Sequence, residues 1–282
     1  MNILEAIVLG IIQGITEFLP ISSTGHLTVA GKLLNLVDPS HPERWTAFIA
    51  IIQLGTLAAI LVYFWKDLMK ILSEFFNENF FSRKKYSDQS EDSKLGWLVI
   101  IGTIPVVIIG ILFKDAIEGA LTKNLLVISG SLIVLALILA LAEKTARFKK
   151  DLKDITVLDS LIIGVAQALA LIPGSSRSGT TITAGLFMGL KRETAARFSF
   201  LLSVPSIFAS GMLQLYEALK FVDSSMTVNI IVATIVSAIS GYLAIDFLLK
   251  FLRKNSTFLF VYYRIFLGLL ILLIIYLNLI QP

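Results

Sequence analysis

The 282-residue sequence has no cysteine, only two histidines and little charge, with 16% of its residues Asp, Glu, Lys or Arg. The missing thiols exclude disulfides and thiolate metal sites and leave the compartment open. No dense set of Asp, His or Cys is spaced to build a metal cage; a lone carboxylate could still bridge a divalent ion to phosphate oxygens. Basic residues are also missing ahead of the first apolar run, MNILEAIVLG. Without the basic n-region of a secretory signal, that run is expected to be mature protein and the start of the fold.

What is present is apolar. The apolar share is 56%, against about 45–50% in soluble domains. Six blocks approach the ~20 helical residues needed to cross ~30 Å of hydrocarbon: roughly 48–65, 96–113, 125–142, 199–219, 228–249 and 258–280. Two further segments, 3–37 and 157–190, are interrupted near their middles by FLPISSTGH at 18–26 and LIPGSSRSGTT at 171–181. Broken backbone at membrane depth is tolerated only inside protein or beside a wet cavity.

Charge sets the orientation. Seventeen of the 24 basic residues fall in four groups: Lys66 to Lys94, Lys144 to Lys153, Lys191 to Arg197 and Lys250 to Lys254. The other connections hold only Lys32, Arg44, Lys114, Lys123 and Lys220. Positive-inside counting makes the rich groups cytoplasmic, and such loops record orientation and anionic-lipid contact rather than nucleic-acid binding. Two rich groups flank 157–190, so that segment enters and leaves on one side and is re-entrant; 3–37 is assigned the same form by analogy.

The analogy rests on an internal repeat. GIIQ at 10–13 parallels GVAQ at 164–167, and PISSTG at 20–25 parallels PGSSRSG at 173–179 with a one-residue slip before the proline and another after Arg177. Each half has one broken segment and three spans; three is odd, so the second half is inverted. The expected fold is an all-α polytopic membrane protein of two inverted repeats, 1–142 and 157–282, joined by a cytoplasmic linker at 143–156. Such repeats place their site where the breaks meet, near the midplane.

Gln13 and Glu17 lie four apart on one helix face. A carboxylate there is costly in lipid and must face protein, a cavity or a cation. The first break adds Ser22, Ser23, Thr24 and His26, with Ser22 a candidate N-cap. The second adds Ser175, Ser176, Ser178 and Arg177, whose planar fork suits phosphate or carboxylate. Together they suit phosphoryl transfer: Arg177 and backbone N–H groups stabilise charge while Ser23, His26 or water attacks phosphorus. A buried Glu17–Arg177 salt bridge, with His26 donating to a carbonyl and the hydroxyls capping helices, is the purely structural reading of the same residues. An organic-anion transporter or lipid-carrier flippase is the competing function. Elsewhere, His41 reads as a surface residue, and Asp246 as the partner of a nearby polar group or an interfacial residue near Lys250. Gln53 and Thr56 read as helix glue, with Gln53 also a candidate for the cavity wall. Arg264 reads as a span-end residue that snorkels or holds a lipid phosphate.

QGITEFLPISSTGH at 13–26, PGSSRSGTT at 173–181 and FIAIIQLGTLAAILVYFW at 48–65 resemble the undecaprenyl-diphosphate phosphatase, or bacitracin-resistance, family over essentially the whole chain. The resemblance implies hydrolysis of undecaprenyl diphosphate in the bacterial inner membrane, at a site near or facing the extracytoplasmic side. It also implies a divalent cation, Mg or Ca, and a homodimer. It assigns essential roles to Glu17, Ser23, His26 and Arg177, supported by Gln13, Ser22, Thr24 and Ser176. Gln13 departs from the Glu form of the motif, so Glu17 is the sole carboxylate and the candidate metal ligand. The charge pattern predicts both termini outside, with 66–95, 143–157 and 250–257 in the cytoplasm. A cysteine introduced at position 88 of this Cys-free chain is expected to react with impermeant reagent only from the cytoplasmic side; labelling only from outside would reverse the topology.

Overall fold

The computed structural model describes residues 1–38, 40–113, 124–218 and 224–279. The loop positions Lys114, Lys123 and Lys220, and the expected span ends at 219 and 280, lie outside the described residues. Eleven α-helices stand among the described residues: α1 (Ile3–Phe18), α2 (Ser23–Leu33), α3 (Pro42–Tyr63), α4 (Trp65–Phe76), α5 (Glu91–Leu112), α6 (Leu125–Thr145), α7 (Val157–Ala168), α8 (Arg177–Phe187), α9 (Arg192–Ala218), α10 (Ser224–Leu252) and α11 (Phe258–Tyr276). Six of them, α3, α5, α6, α9, α10 and α11, are long and apolar enough to cross a membrane. These are the six expected spans. Three of them start earlier than expected by five residues or more, α3 at Pro42 rather than 48, α5 at Glu91 rather than 96 and α9 at Arg192 rather than 199, and α4 follows α3 as a separate amphipathic helix. Trp65, Met69, Leu72 and Phe76 are exposed along one side of α4 while Ile71 is buried.

Both broken segments are helix pairs that double back. Lys150, ahead of α7, pairs with Leu190, beyond α8, and Lys191 N donates to Lys150 O at 3.0 Å. The second segment therefore starts and ends on one side. In the first, Ala6 and Leu9 of α1 share an apolar cluster with Leu27 of α2, and Leu36 beyond α2 packs against it.

The repeat is more regular than the proline-anchored alignment implied. Asn2 and Thr156 each cap a first half-helix in a capping box, with Glu5 and Asp159. Ser22 and Ser176 cap the second half-helices, accepting from Gly25 N and Gly179 N, both at 3.2 Å. Leu36 N donates to Gly31 O as Leu190 N donates to Gly185 O. Each of these pairs, like Gln13 and Gln167, is 154 positions apart. The two slips are therefore not real: Gly174 stands opposite Pro20, and Arg177 stands opposite Ser23. Proline misled because it tolerates several places in a turn, whereas the N-cap geometry is fixed by its hydrogen bond.

The halves interlock. Half-helix α1 of the first packs on α10 of the second, and α7 of the second packs on α5 of the first; α3 with α9 and α6 with α11 pair across the pseudo-two-fold axis. Matched glycines permit the close approach. A Cβ on Gly10 would sit 2.5 Å from Ala233 O, and one on Gly164 would sit 2.2 Å from Gly102 O.

Ion pairs gather the basic groups at one end of the bundle. Arg197 pairs with Asp67 at 2.7 Å and Arg253 with Glu193 at 2.8 Å. Glu143, at the end of α6, accepts from Arg192 Nε at 2.7 Å and from Thr257 Oγ1 at 2.9 Å, binding the starts of α9 and α11 together. Gly164→Ala is expected to force α7 away from the α5 backbone and to cost about 1–3 kcal/mol. Its melting temperature in detergent should fall clearly below wild type, and an unchanged value would contradict the close contact.

Candidate active site

The site begins with two strained serines. Ser22 has φ 75° and Ser176 φ 67°, positive values that favour glycine. Such conformations cost about 1–3 kcal/mol each and persist where surrounding structure over-determines them. Here each serine ends a break built of turns and caps the returning helix, which aims the first-turn amides of α2 and α8 inward. The second break is braced from outside: Ser131 of α6 donates to Pro173 O, and Arg264 of α11 donates to Ser175 O at 2.9 Å. Ser178 ties the breaks together by donating to Leu19 O at 3.0 Å.

Glu17 stands at the end of α1 with its side chain almost wholly enclosed. Oε2 accepts from Gln13 Nε2 at 2.9 Å and from Ser23 Oγ at 2.7 Å; Oε1 accepts from Gln53 Nε2 at 3.0 Å and pairs with Arg177. The i, i+4 spacing on α1 supplies Gln13, α3 supplies Gln53, and the matched caps bring Ser23 and Arg177 to the same carboxylate. Arg177 also reaches Ser203 O of α9 at 3.4 Å. Glu17 and Arg177 thus form the ion pair of the structural reading, but it lies in the wall of a cavity of about 580 Å³.

The cavity has a polar floor and apolar sides. Glu17, Ser22, Ser23, Thr24, Gln53, Ser175, Ser176 and Arg177 line it, together with Val107 and Ile111 of α5 and Leu213 of α9. Thr28 Oγ1, Trp45 Nε1, Ser175 Oγ and both Gln167 amide atoms belong to lining residues and are buried with no hydrogen-bond partner. Buried polar atoms are nearly always satisfied, so such a concentration marks a place where a polar ligand or water belongs.

Of the residues proposed from sequence, Gln13, Glu17, Ser23 and Arg177 meet in one network, and Ser22, Thr24, Ser175 and Ser176 line the same cavity. His26 and Ser178 lie apart from it. Nδ1 of His26 lies 2.7 Å from Ser22 O and Nε2 lies 2.6 Å from Tyr263 Oη, with the two rings stacked. A carbonyl only accepts, so Nδ1 carries the proton; in the neutral ring Nε2 then accepts from Tyr263. Three positions along a helix leave Ser23 and His26 about 60° apart in projection, enough to turn one to Glu17 and the other to α11.

Two readings change, and one residue was missed. Gln53 is a direct donor to Glu17 as well as a wall residue, and the glutamine inside an apolar span was its signal. Arg264 is 0% exposed and braces the second break, so it does not snorkel. Tyr263 carried no signal, because a tyrosine in YYRIFLG is ordinary at a membrane interface. Asp246 pairs with Lys250 at 2.7 Å, as expected.

The family model for the bacitracin resistance protein BacA matches residues 6–270. The chain belongs to this family. Among its BacA-family relatives, the undecaprenyl-diphosphatase of Syntrophobacter fumaroxidans is 58% identical over 268 residues, covering 95% of both chains. That of Chloroherpeton thalassium is 51% identical over 96% of both, and that of Pelodictyon phaeoclathratiforme 48% identical over the full length of both. Replacing Glu17 by Leu strands the Arg177 guanidinium, and breaking one side of a buried pair costs about 3–5 kcal/mol. The Glu17→Leu/Arg177→Met double variant is expected to recover most of that loss; strictly additive melting-temperature losses would show that the two groups are not coupled.

Proposed function

We propose that this chain hydrolyses undecaprenyl diphosphate to undecaprenyl phosphate and inorganic phosphate in the bacterial cytoplasmic membrane, recycling the lipid carrier of wall synthesis. The observation that carries the reading is the Ser23 hydroxyl resting on a carboxylate that also holds Arg177, in the wall of a cavity in a membrane-spanning bundle. Family membership and the names of the relatives supply the substrate.

In this reading Ser23 is the nucleophile. Its Oγ attacks the terminal phosphorus, Glu17 takes the proton, and the bond to the bridging oxygen breaks, releasing undecaprenyl phosphate. Water then hydrolyses the phosphoserine to free serine and phosphate. Arg177 passes from Glu17 to the phosphate oxygens, and the first-turn amides of α2 and α8 add donors there. His26 is the positioning residue: its Nδ1–H holds the Ser22 carbonyl and so the strained turn that presents Ser23. Activated water as the nucleophile, with Ser23 as donor, is the alternative route.

Glu17 would hold the magnesium or calcium ion that belongs to the proposal. Among the described residues no group of three or more His, Cys, Asp or Glu could hold an ion, and Glu17 is the one carboxylate in the cavity wall. One carboxylate with phosphate oxygens and water is an arrangement in which magnesium is held. The ion would neutralise diphosphate charge beside Glu17.

Two features support an extracytoplasmic site. The cavity reaches Trp45 and Thr46 at the start of α3, Ile111 at the end of α5 and Gln214 late in α9, all at the end away from the ion-paired basic groups. Positive-inside counting assigns those groups to the cytoplasm. The exposed edges of Val107, Ile111, Ile172 and Leu213 offer the prenyl tail an apolar exit into lipid. Homodimer assembly is proposed from the family resemblance and is checked by molecular mass in detergent.

Arg177→Ala is expected to lower phosphate release from undecaprenyl diphosphate about a hundredfold, as when one transition-state donor is lost. Phosphate release by purified protein in detergent measures this and separates hydrolysis from transport, which needs two compartments. A folded variant with wild-type turnover would reject the role of Arg177, and no release from wild type would favour the transporter.

A further inference from the structure

The inverted repeat matches backbone but not chemistry. Gln13 of the first half corresponds to Gln167 of the second, Glu17 to Leu171, and Ser23 to Arg177. Gln13 spends its amide N–H on Glu17, one helical turn along. Gln167 has a leucine at that place. It is 0% exposed, and neither its Nε2 nor its Oε1 has a hydrogen-bond partner. Ser175, also 0% exposed, has an unpartnered Oγ, and both residues are in the cavity wall.

An unpartnered buried amide is a standing cost that an apolar side chain of the same shape would remove. The chemistry around it selects its partner. Leu171 takes away the negative charge that stands at the matching place in the first half. The second half instead offers an amide N–H, a serine hydroxyl, the first turn of the eleven-residue helix α8, and Arg177. Gln167 and Ser175 can each donate or accept, and the positive charge of Arg177 with the N-terminus of α8 sets the preference for an anion.

Resting on the diphosphatase reading, we propose that Gln167 and Ser175 form a second phosphate-binding pole of the cavity. It takes the phosphate group of the diphosphate that the Glu17–Ser23 pole does not hold. The two breaks then divide the substrate between them. The first carries the attacking hydroxyl and its base, the second grips the other phosphate, and Arg177 stands between the two. The same asymmetry accounts for a leucine, not a second carboxylate, at position 171 beside the matched glutamine.

The test uses Gln167→Met, close in shape to glutamine and without its polar atoms, in the full-length protein in detergent. Methylenediphosphonate and inorganic phosphate serve as competing probes. The variant is expected to raise KM for undecaprenyl diphosphate and the inhibition constant of methylenediphosphonate about tenfold, the effect of one lost hydrogen bond. Inhibition by inorganic phosphate should stay unchanged. The melting temperature without ligand should hold or rise, because an unsatisfied amide has gone. Wild-type KM and inhibition constants would overturn the proposal, as would equal weakening of both probes. A lower melting temperature with reduced kcat at constant KM would assign Gln167 a structural role and also overturn it. Absence of phosphate release from the wild-type protein would instead remove the diphosphatase reading. Methylenediphosphonate binding, followed through Trp45 in the cavity wall, would then still distinguish Gln167→Met from wild type if the pole exists, and equal binding would overturn it.

Discussion

The Glu17–Arg177 ion pair is the interaction on which the arrangement of this molecule turns. A carboxylate and a guanidinium at membrane depth are each prohibitively placed alone, and each is made tolerable by the other together with Gln13, Gln53 and Ser23. The two charges come from opposite halves, so they are brought together only when the breaks meet. That requirement couples the assembly of the two repeats to the assembly of the site. In the proposed reaction Arg177 leaves Glu17 for the phosphate oxygens inside a site that is already desolvated.

The remaining polar backbone is handled by a small set of repeated devices. After each break a serine with positive φ caps the returning helix, and the second break is held from outside by Ser131 and Arg264. Arg264 is an unusual brace, a buried cation whose Nε and Nη2 donate to the carbonyls of Leu132 and Ser175. Around this polar centre the helices approach through glycine, with Gly10 and Gly164 at matching contacts. Lipid supplies no hydrophobic force between spans, so close backbone packing takes its place.

Inverted repetition gives two half-helix N-termini facing one cavity, and divergence gives them different work. The first half supplies a carboxylate and a hydroxyl, and the second supplies a cation and neutral donors. A symmetric site would place two carboxylates or two arginines against one another, and like charges at that depth would repel. Ser23 and Arg177 at corresponding places are the clearest record of this division.

Much of this was legible in the residues alone. Six spans, the second re-entrant break and the gathering of basic loops at one end follow from apolar length and charge, because the bilayer imposes both directly, and the first break follows from the internal repeat. Glu17 and Arg177 were conspicuous for the same reason: a charge inside an apolar run has to be explained. Other features needed the tertiary structure. The register of the repeat was set by hydrogen-bonded caps and not by prolines. The partner of Gln53, the turning of His26 towards Tyr263 and the burial of Arg264 depend on which helices become neighbours, and helices distant in sequence carry no local mark of that. The sequence by itself determined where the chain crosses, where it breaks and which residues are too costly to be incidental. Only the packing of one half against the other decided which of them touch, since a side chain's partner at membrane depth is chosen by helix rotation and not by spacing along the chain.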